Sequence, residues 1–474
     1  MEDGLPADRH DRHATGIVHL GLGAFFRGFG CVLTADAMAA SGGDWGILGV
    51  SLRSPDTRDA LRDQDWGYTS VTLNPKGETT RWITVLNGVL VAPEDPAAVL
   101  TAMQAPEVRI VSLTVTEKGY CHNPSTGQLN VEHPDIRHDL TSDLPVSAPG
   151  FLVRALQNRR AAGLRPFTVL TCDNLPDNGT LVRGMVLELA RLIDPSLADW
   201  IVAECKFPCT MVDRITPATT QADIARVADL TGRPDAAPVM HEPFAQWVIE
   251  DDFVDNARPD FAAAGVEMVE DVTAHEHMKL RMLNGTHSAL AYTGYLAGHE
   301  TIAQTVADPV FARYVRLLWS EIIPAVKAPE GVSLTDYADA LFERYANPAI
   351  RHRTWQIAMD GSQKLPQRLL GSLEANLAAG RVSPGLCLAV AAWMRYVGGV
   401  DEQGGPIDVK DPMAERLRSA SDAADSFEGK VAALLAIREV FPAALAERLK
   451  QPVTDAAASL WNKGARAATQ EVVA

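Results

Sequence analysis

The sequence lacks long hydrophobic runs and a hydrophobic N-terminal leader. Its best apolar run, LCLAVAAWM at 386–394, is too short to span a bilayer as a helix. The first sixteen residues are polar and have no apolar core of the kind that secretory signals carry. We therefore expect a cytoplasmic protein without a membrane-spanning segment.

Cysteine and positive charge are also scarce. Six cysteines in 474 residues do not form a disulfide framework, and Cys205 and Cys209 lack the second pair or histidine cluster that completes a zinc site. We therefore predict no metal site. Lys and Arg number 43 against 60 Asp and Glu, so the formal net charge is -17 and a nucleic-acid partner is not expected.

The length and the order of sequence patterns predict two domains. A hydrophobic content of 47% indicates a folded chain, and 474 residues are too many for one ordinary core. Alternating strand and helix patterns predict an α/β domain with a doubly wound, Rossmann-type sheet over residues 1–265. Helical periodicity then predicts a mainly α-helical domain over residues 266–474, which would bind substrate.

The first ordered segment is typical of a dinucleotide-binding unit. An apolar strand at 17–20 leads into Gly21, Gly23 and Gly28 and then into a helical pattern. Such a turn places pyrophosphate at a helix N-terminus. The glycine pattern is imperfect, because the third glycine is expected at position 26 and the chain has Phe26.

The ends of the next strands carry polar candidates. NAD sites usually place an acid after the second strand, but the strand at 45–52 is followed by Arg53, so the choice between NAD and NADP is open. The strand at 108–115 precedes Glu117, a candidate for a group near the nicotinamide or on a proton path. These positions lie where open α/β sheets bind ligands.

Two further strands precede polar residues and extend the predicted sheet. The strand at 166–170 is followed by Asn174, which either donates a hydrogen bond to a developing alkoxide or caps the next helix. The strand at 208–212 leads directly to Asp213. The repeated strand and helix units predict that both strands belong to one doubly wound sheet.

Residues 276–300 place three polar groups in a largely apolar helix. In an α-helix, His287 lies about 80° and Asn284 about 140° around the axis from Lys279, so one face presents all three. Such a cluster among leucines predicts a polar site that points into the interior. The alternative is that these residues lie on an ordinary surface face.

The segment at 355–368 is the clearest polar insertion in the second half. It contains Asp360, Gly361 and Lys364. One interpretation is that Lys364 contributes to a site. The alternative is that Asp360 and Gly361 form a turn and that Lys364 lies in solvent.

Several motifs together resemble the polyol-specific long-chain dehydrogenases, the mannitol dehydrogenase family. They are the helix at 276–300, VTEKGY at 115–120, CDNL at 172–175, MVDRITP at 211–217 and EPFAQWVIED at 242–251. The resemblance extends from about residue 17 to about residue 470. It implies a zinc-independent, nicotinamide-dependent enzyme with a Rossmann-type domain, a mostly helical domain and an active site between them.

Some segments are more similar to one branch of the family than to another. Residues 352–370, 393–413 and 207–215 resemble the fructuronate reductase, or mannonate oxidoreductase, branch, whereas residues 51–61 resemble the polyol enzymes. The mannitol 2-dehydrogenase branch carries an arginine where this chain has Gln356. The resemblance implies NAD-dependent interconversion of D-mannonate and D-fructuronate. The alternatives are mannitol 2-dehydrogenase or another polyol dehydrogenase, and a non-catalytic cofactor-binding regulator.

The resemblance also implies roles for particular residues. Lys279 is the general base, Asn174 and Asn284 bind the alkoxide, and His287 orients the substrate hydroxyl or the lysine. The predicted substrate-binding residues are Asp213, Lys364, Arg353 and Arg368. The predicted cofactor-binding residues are Gly21, Gly23, Phe25, Arg27, Gly28, Arg53 and Glu117. The expected partners are NAD, with NADP open, and a small sugar acid or polyol, bound by a monomer or a small homo-oligomer.

Overall fold

A computed structural model describes residues 13–123 and 126–474 of the chain. Its internal contacts divide it into one unit that ends at Thr273 and a second unit from Ala274 to Ala474. The first unit contains a parallel sheet with helices on both faces, and the second is built from helices. The predicted fold class is therefore confirmed.

A five-stranded parallel sheet in the order β5-β2-β1-β6-β7 forms the centre of the first unit. The strands of this unit are β1 (Thr15–Leu20), β2 (Gly46–Ser51), β3 (Tyr68–Asn74), β4 (Gly77–Ile83), β5 (Leu86–Val91), β6 (Ile110–Leu113), β7 (Thr168–Thr171), β8 (Thr210–Asp213), β9 (Val239–His241), β10 (Gln246–Glu250) and β11 (Glu267–Val269). The chain leaves β1 towards β2 on one side and later returns to β6 on the other. The point where the strand order reverses is where sheets of this kind bind ligands.

Helices cover both faces of this sheet. The helices of this unit are α1 (Ala24–Gly28), α2 (Gly30–Ser41), α3 (Asp56–Arg62), α4 (Pro96–Gln104), α5 (Thr116–Gly119), α6 (Pro134–Thr141), α7 (Ala148–Ala161), α8 (Asn178–Ile193), α9 (Pro195–Glu204) and α10 (Gln221–Thr231), with 3-10 turns at Val254–Asn256 and Phe261–Ala264. Val18 of β1 packs in one apolar cluster with α4, α7 and α8, and Ile17 packs in another with α1 and α2. This alternation explains why β1 reads as a continuous apolar run.

The position of β8 differs from the prediction. β8 pairs antiparallel with β10, which pairs in parallel with β11, so β8 is not part of the five-stranded sheet. β3 forms another small sheet with β4 and β9. The prediction that residues 208–212 continue the doubly wound sheet is therefore wrong. An apolar run identifies a buried strand but does not specify the strand with which it pairs.

The second unit is helical. Its elements are α11 (Thr273–Met278), the π-helix π1 (Lys279–Gly285), α12 (Thr286–Leu296), α13 (Ile302–Ala307), α14 (Pro309–Ile322), a 3-10 turn (Ile323–Ala325), α15 (Leu334–Tyr345), α16 (Thr354–Ile357), α17 (Gly361–Leu365), the π-helix π2 (Pro366–Leu370), α18 (Gly371–Ala378), α19 (Pro384–Val397), α20 (Ala414–Asp422), α21 (Phe427–Leu435), α22 (Ala443–Lys463) and α23 (Ala465–Val472). The apolar run at 386–394 lies in α19, at the centre of this unit's core. Within the described ranges, no helix has both the length and the apolar character that crossing a bilayer requires.

Candidate active site

The glycine turn after β1 borders a cleft of about 410 Å³ in the first unit. Gly21 has φ +90°, and a Cβ there would lie 2.3 Å from the Thr114 carbonyl oxygen, so the turn requires glycine. The backbone N–H groups of Gly21 and Leu22 donate to the Val50 carbonyl oxygen at 2.9 and 3.2 Å. Gly23 lines the same cleft. The close backbone approach and the position at the carboxyl edge of the sheet fit a dinucleotide.

A buried histidine that the sequence analysis missed supports this turn. His19 contacts the Ser112 hydroxyl through Nδ1 and the Thr114 hydroxyl through Nε2, both at 2.9 Å. Thr114 donates its single proton to the Gly21 carbonyl oxygen at 2.9 Å, so it must accept from His19 Nε2–H, and Ser112 must donate to Nδ1. Burial lowers the pKa of His19 to about 3, so the ring stays neutral. A polar residue inside an apolar strand was the signal that could have identified it.

Phe26 occupies the place of the missing third glycine. Its ring stacks on His19 with centroids 3.4 Å apart and planes 6° apart. The space for the ring comes from Gly30, where a Cβ would lie 2.2 Å from Phe26. Gly30, four residues later, therefore provides the close approach that the third glycine was expected to provide at position 26.

Three of the predicted cofactor residues stabilise the packing around the turn and do not line the cleft. Phe25 stacks on Phe29 with ring centroids 5.1 Å apart. Arg27 is buried and donates to the Ala237 carbonyl oxygen at 2.6 Å. Gly28 packs against β9, and the absence of a side chain allows this close approach, since a Cβ there would lie 2.8 Å from the Val239 side chain. Their role in cofactor binding stays a prediction, whereas Arg53 does line the cleft.

The carboxyl end of β6 is held by a buried acid that lies just after the neighbouring strand β7. Asp173 accepts hydrogen bonds from the backbone N–H groups of Val115 and Thr116 at 3.0 and 2.9 Å and from the Tyr120 hydroxyl at 2.6 Å. Burial raises the pKa of this carboxyl group, against the effect of these hydrogen bonds. Thr116 is thereby held at φ +64°, a strained conformation for a branched residue. Glu117 follows with a side chain that is 42% exposed, and its predicted role is neither supported nor contradicted.

Asn174 and Asp213 lie at strand ends, as predicted. Asn174 is exposed after β7, and α8 begins only after the N-cap residue Asp177, so the interpretation of Asn174 as a helix cap is wrong. Its role as a donor to an alkoxide stays a prediction. Asp213 is buried at the end of β8, with 4% of its surface exposed.

In the second unit, a π-helix brings the predicted catalytic residues onto one face. Lys279 and Asn284 lie five residues apart, the spacing at which residues of a π-helix are joined by backbone hydrogen bonds. The expected separation of about 140° is therefore wrong, because the wider turn holds an extra residue. His287, three residues further on in α12, stays on the same side. All three are buried, with 7%, 8% and 5% of their surfaces exposed, which excludes the interpretation of an ordinary surface face.

Neighbouring side chains hold the wide turn in place. The Tyr345 hydroxyl donates to the Leu283 carbonyl oxygen at 2.8 Å, and the Trp319 indole N–H donates to the Met282 carbonyl oxygen at 3.3 Å. Gly285 lets π1 approach π2 closely, since a Cβ there would lie 2.5 Å from the Arg368 carbonyl oxygen. The two π-helices therefore fix each other's position.

The Asn284 side-chain amide is an uncompensated buried donor. Its Nδ2 atom is inaccessible to solvent and has no hydrogen-bond partner among the residues that the structure describes. Leaving a buried polar group unsatisfied costs roughly 1–3 kcal/mol. Such groups need an explanation, and a donor that waits for a ligand oxygen is one.

His287 lies in a positively charged environment that keeps it neutral. Burial lowers its pKa well below the ordinary value, and His352, Arg344 and Arg368 lower it further. Its ring lies 4.6 Å from Tyr345 and 5.0 Å from His352, measured between centroids. Burial, then Arg368 and Lys364, also lower the pKa of His352 to about 4. The sequence analysis missed His352, because nothing in its segment indicated that it folds back onto α12.

Lys364 and Arg368 lie close to this cluster. The Lys364 ammonium donates to the Met359 carbonyl oxygen at 2.6 Å, and its side chain is only 28% exposed, so the interpretation that it lies in solvent is wrong. Burial and then Arg368 lower the pKa of Lys364 to about 8. Arg368 donates to the Ser288 hydroxyl at 3.2 Å, beside His287.

The two arginines that were predicted to help Lys364 lie in different environments. Arg353 is 59% exposed and lies 3.6 Å from Glu300. Arg368 is partly buried, and no carboxylate pairs with it within residues 13–123 and 126–474. Of these two arginines, Arg368 is therefore the one without a counter-charge among the residues that the structure describes.

Comparison with known proteins identifies relatives over the whole chain. The family descriptions "Mannitol dehydrogenase Rossmann domain" and "Mannitol dehydrogenase C-terminal domain" match residues 15–263 and 271–461. An Escherichia coli (strain K12) protein named uncharacterized oxidoreductase YeiQ is 47% identical over 441 residues, which are 92% of this chain and 90% of that protein. The D-mannonate oxidoreductase of the same organism is 44% identical over 481 residues, which are 98% of each chain.

A solved structure supports the same assignment. Pseudomonas fluorescens mannitol 2-dehydrogenase, in a ternary complex with NAD and D-mannitol, is 38% identical, with a TM-score of 0.87 and coverage of 98% of this chain and 95% of that chain. The resemblance that the motifs indicated is thereby confirmed. With both of its units matched, this chain belongs to the mannitol dehydrogenase family of oxidoreductases.

Proposed function

We propose that this protein interconverts D-mannonate and D-fructuronate with NAD. The observation that carries the proposal is the cationic pair of Lys364 and Arg368 beside His287, in which Arg368 has no carboxylate partner among the described residues. A partly buried guanidinium group is stabilised by a bidentate carboxylate. A sugar acid supplies that carboxylate, whereas a simple polyol such as mannitol does not.

The proposed chemistry is removal of a hydride and a proton from a secondary alcohol. A bound nicotinamide would supply the hydride acceptor for the alcohol carbon. We assign the hydroxyl proton to Lys279 Nζ, which acts as the general base in the direction of oxidation and returns the proton in reduction. Only 7% of the Lys279 surface is exposed, so the amine is shielded from bulk water.

Asn284 and His287 complete the proposed catalytic face. The free Nδ2 donor of Asn284 would bind the alkoxide oxygen as it develops, a contribution of about 2.7–4 kcal/mol to the barrier in comparable sites. His287 is neutral, so its ring offers one donor and one acceptor to the substrate hydroxyl or to the lysine. It orients the reacting groups and does not take the proton itself.

The proposed cofactor is NAD, held through the glycine turn of the first unit. The backbone at Gly21 and Gly23 would carry the pyrophosphate, while Arg53 lines the cleft where NAD-specific sites usually place an acid. An arginine at this position accommodates the 2′-phosphate of NADP, so activity with both cofactors is a second candidate.

Substrate comparison tests the proposal. We expect the catalytic efficiency, kcat/KM, with NADH to be higher for fructuronate than for fructose. The similarity to mannitol 2-dehydrogenase makes fructose the natural competitor. Equal efficiencies would overturn the assignment to sugar acids in favour of a polyol dehydrogenase. Binding of NADH without turnover of either substrate would favour a non-catalytic regulator.

A pair of variants tests the role of the cations. Arg368→Gln should lower the efficiency for fructuronate about 10- to 100-fold and leave that for fructose nearly unchanged, since hydrogen bonds to charged groups contribute about 1.5–3 kcal/mol. Arg353→Gln is the matched control, because Arg353 is exposed and close to Glu300. Equal losses for both substrates in Arg368→Gln would show that the arginine stabilises the fold and does not select the acid.

A further inference from the structure

Three potential metal ligands converge in the first unit. The sulfur of Cys121, a ring nitrogen of His133 and a carboxylate oxygen of Asp135 all lie within 4.8 Å of one another. Their approach is built into the backbone, because Asn130 donates its N–H to the Cys121 carbonyl oxygen at 2.9 Å and accepts from the His133 N–H at 2.9 Å. Cys121 is buried, with 5% of its surface exposed, at φ +53°.

The local geometry favours a cation. His133 precedes α6 as its N-cap, and its Nδ1 accepts from the Asp135 N–H at 3.3 Å, so this nitrogen is unprotonated, and a bound cation would take its lone pair in place of that long hydrogen bond. The same Nδ1 lies 3.8 Å from the Asp135 carboxylate. Asp139 is a buried neighbour that is occupied by hydrogen bonds from the backbone and side chain of Ser147, so it adds negative charge without competing as a ligand.

The ligand types select zinc. Thiolate, imidazole and carboxylate bind Zn²⁺ at about 2.0–2.3 Å, whereas Mg²⁺ and Ca²⁺ prefer oxygen ligands. Ligand atoms around a tetrahedral zinc ion are therefore roughly 3.3–3.8 Å apart, so separations of up to 4.8 Å need to shorten by at most about 1.5 Å when the ion binds. Three protein ligands leave one coordination position open.

The three ligands lie beside the cleft that the glycine turn borders. Cys121 and Asp135 line the same cleft as Gly21, Gly23 and Arg53. A zinc ion held by the cluster, together with the ligand in its open position, takes up volume in that cleft. It therefore competes with any dinucleotide that extends past the glycine turn.

We propose that Cys121, His133 and Asp135 bind one Zn²⁺ ion at the edge of the cofactor cleft and that bound zinc inhibits the protein by excluding the dinucleotide. The binding of zinc stands independently of the proposed reaction. The competition rests on the proposed cofactor, and the two parts are measured separately.

Calorimetric titration of the full-length, cofactor-free protein with Zn²⁺ tests the site. We expect one ion per chain, and Co²⁺ in its place should give the near-ultraviolet charge-transfer absorption of a thiolate ligand. Cys121→Ser should weaken zinc binding at least tenfold and abolish that absorption, and Asp135→Asn should weaken binding without removing the absorption. Cys209→Ser, which removes a thiol of similar burial outside the cleft, should change neither. Stoichiometric, equally tight binding in Cys121→Ser would overturn the site.

NADH fluorescence titrations at increasing free Zn²⁺ test the competition. The apparent Kd for NADH should rise in proportion to free zinc in the wild type, and in Cys121→Ser it should rise only at zinc concentrations at least tenfold higher. An unchanged Kd at saturating zinc would overturn the inhibitory role. Absence of NADH binding without zinc would instead reject the proposed cofactor, and the zinc stoichiometry would still decide the site.

Discussion

Replacing Asn284 should separate stability from catalysis. Asn284→Leu removes the Nδ2 donor while keeping a side chain of similar size among the core leucines. If Nδ2 donates to the alkoxide, kcat should fall about 10²–10³-fold, which corresponds to about 2.7–4 kcal/mol. The same change removes an unsatisfied buried donor, so the free energy of unfolding should rise by up to about 1–3 kcal/mol. The expected variant is therefore slower and more stable.

The assay combines kcat at saturating substrate with urea unfolding of each variant. Asn376→Leu is the matched control, because Asn376 is also buried but its amide donates to the Glu321 carbonyl oxygen and the Ser383 hydroxyl, both at 2.8 Å. It should lose stability by about 1–3 kcal/mol and keep its kcat. Asn284→Leu with nearly wild-type kcat would refute the donor role, and a loss of stability as large as that of Asn376→Leu would refute the argument from the unsatisfied amide.

Three further predictions follow from the geometry. Gly285→Ala should lower the free energy of unfolding by about 1–3 kcal/mol, because the added methyl group would collide with the Arg368 carbonyl oxygen. Gly184→Ala is the control: this position on α8 faces open space, so the free energy of unfolding should rise by about 0.5–1 kcal/mol. Urea unfolding of both variants measures the difference. If the charge of Lys364 binds the sugar acid, kcat/KM for fructuronate should fall relative to that for fructose as the pH rises through about 8, by up to tenfold per pH unit, because Lys364 loses its proton near its lowered pKa. Lys364→Arg should abolish this pH dependence, since arginine stays charged. A pH profile that this substitution leaves unchanged would reject the role. His19→Phe should raise KM for NAD about tenfold and preserve kcat, because it removes the hydrogen bond from His19 to the Thr114 hydroxyl, which in turn supports Gly21. His19→Gln should restore part of the loss. A KM for His19→Phe equal to that of the wild type would contradict this role.

The strands of the parallel sheet could be predicted because their physics is local. The residues of β1, β6 and β7 are buried on both faces, which requires continuous apolar runs. The glycine at position 21 has no alternative at φ +90°. The partner of β8 could not be predicted, since an apolar run carries no information about whether it joins a parallel or an antiparallel neighbour.

The burial and grouping of Lys279, Asn284 and His287 could be predicted from the sequence, whereas the geometry of their segment could not. Lys279 was identifiable because a lysine among buried leucines is costly unless it has a function. The π-helix was not, because α-helical periodicity was assumed. The difference between Arg353 and Arg368 depends on tertiary packing, which exposes one and shelters the other. His19 and His352 act through contacts with residues far away in the chain.

The extra residue in π1 is not needed merely to bring Lys279 and Asn284 together, since an ordinary α-helix does so at a spacing of four. The wider turn also provides two backbone carbonyl oxygens that accept hydrogen bonds from the side chains of Trp319 and Tyr345. Tyr345 in turn packs beside the His287 ring. Deleting Leu280 would let the segment wind as a regular helix and keep the amine and the amide on a common side. It would also break the hydrogen bonds from the two buried aromatic side chains and weaken the contact that holds the His287 ring. A shorter version of this segment therefore needs different aromatic neighbours.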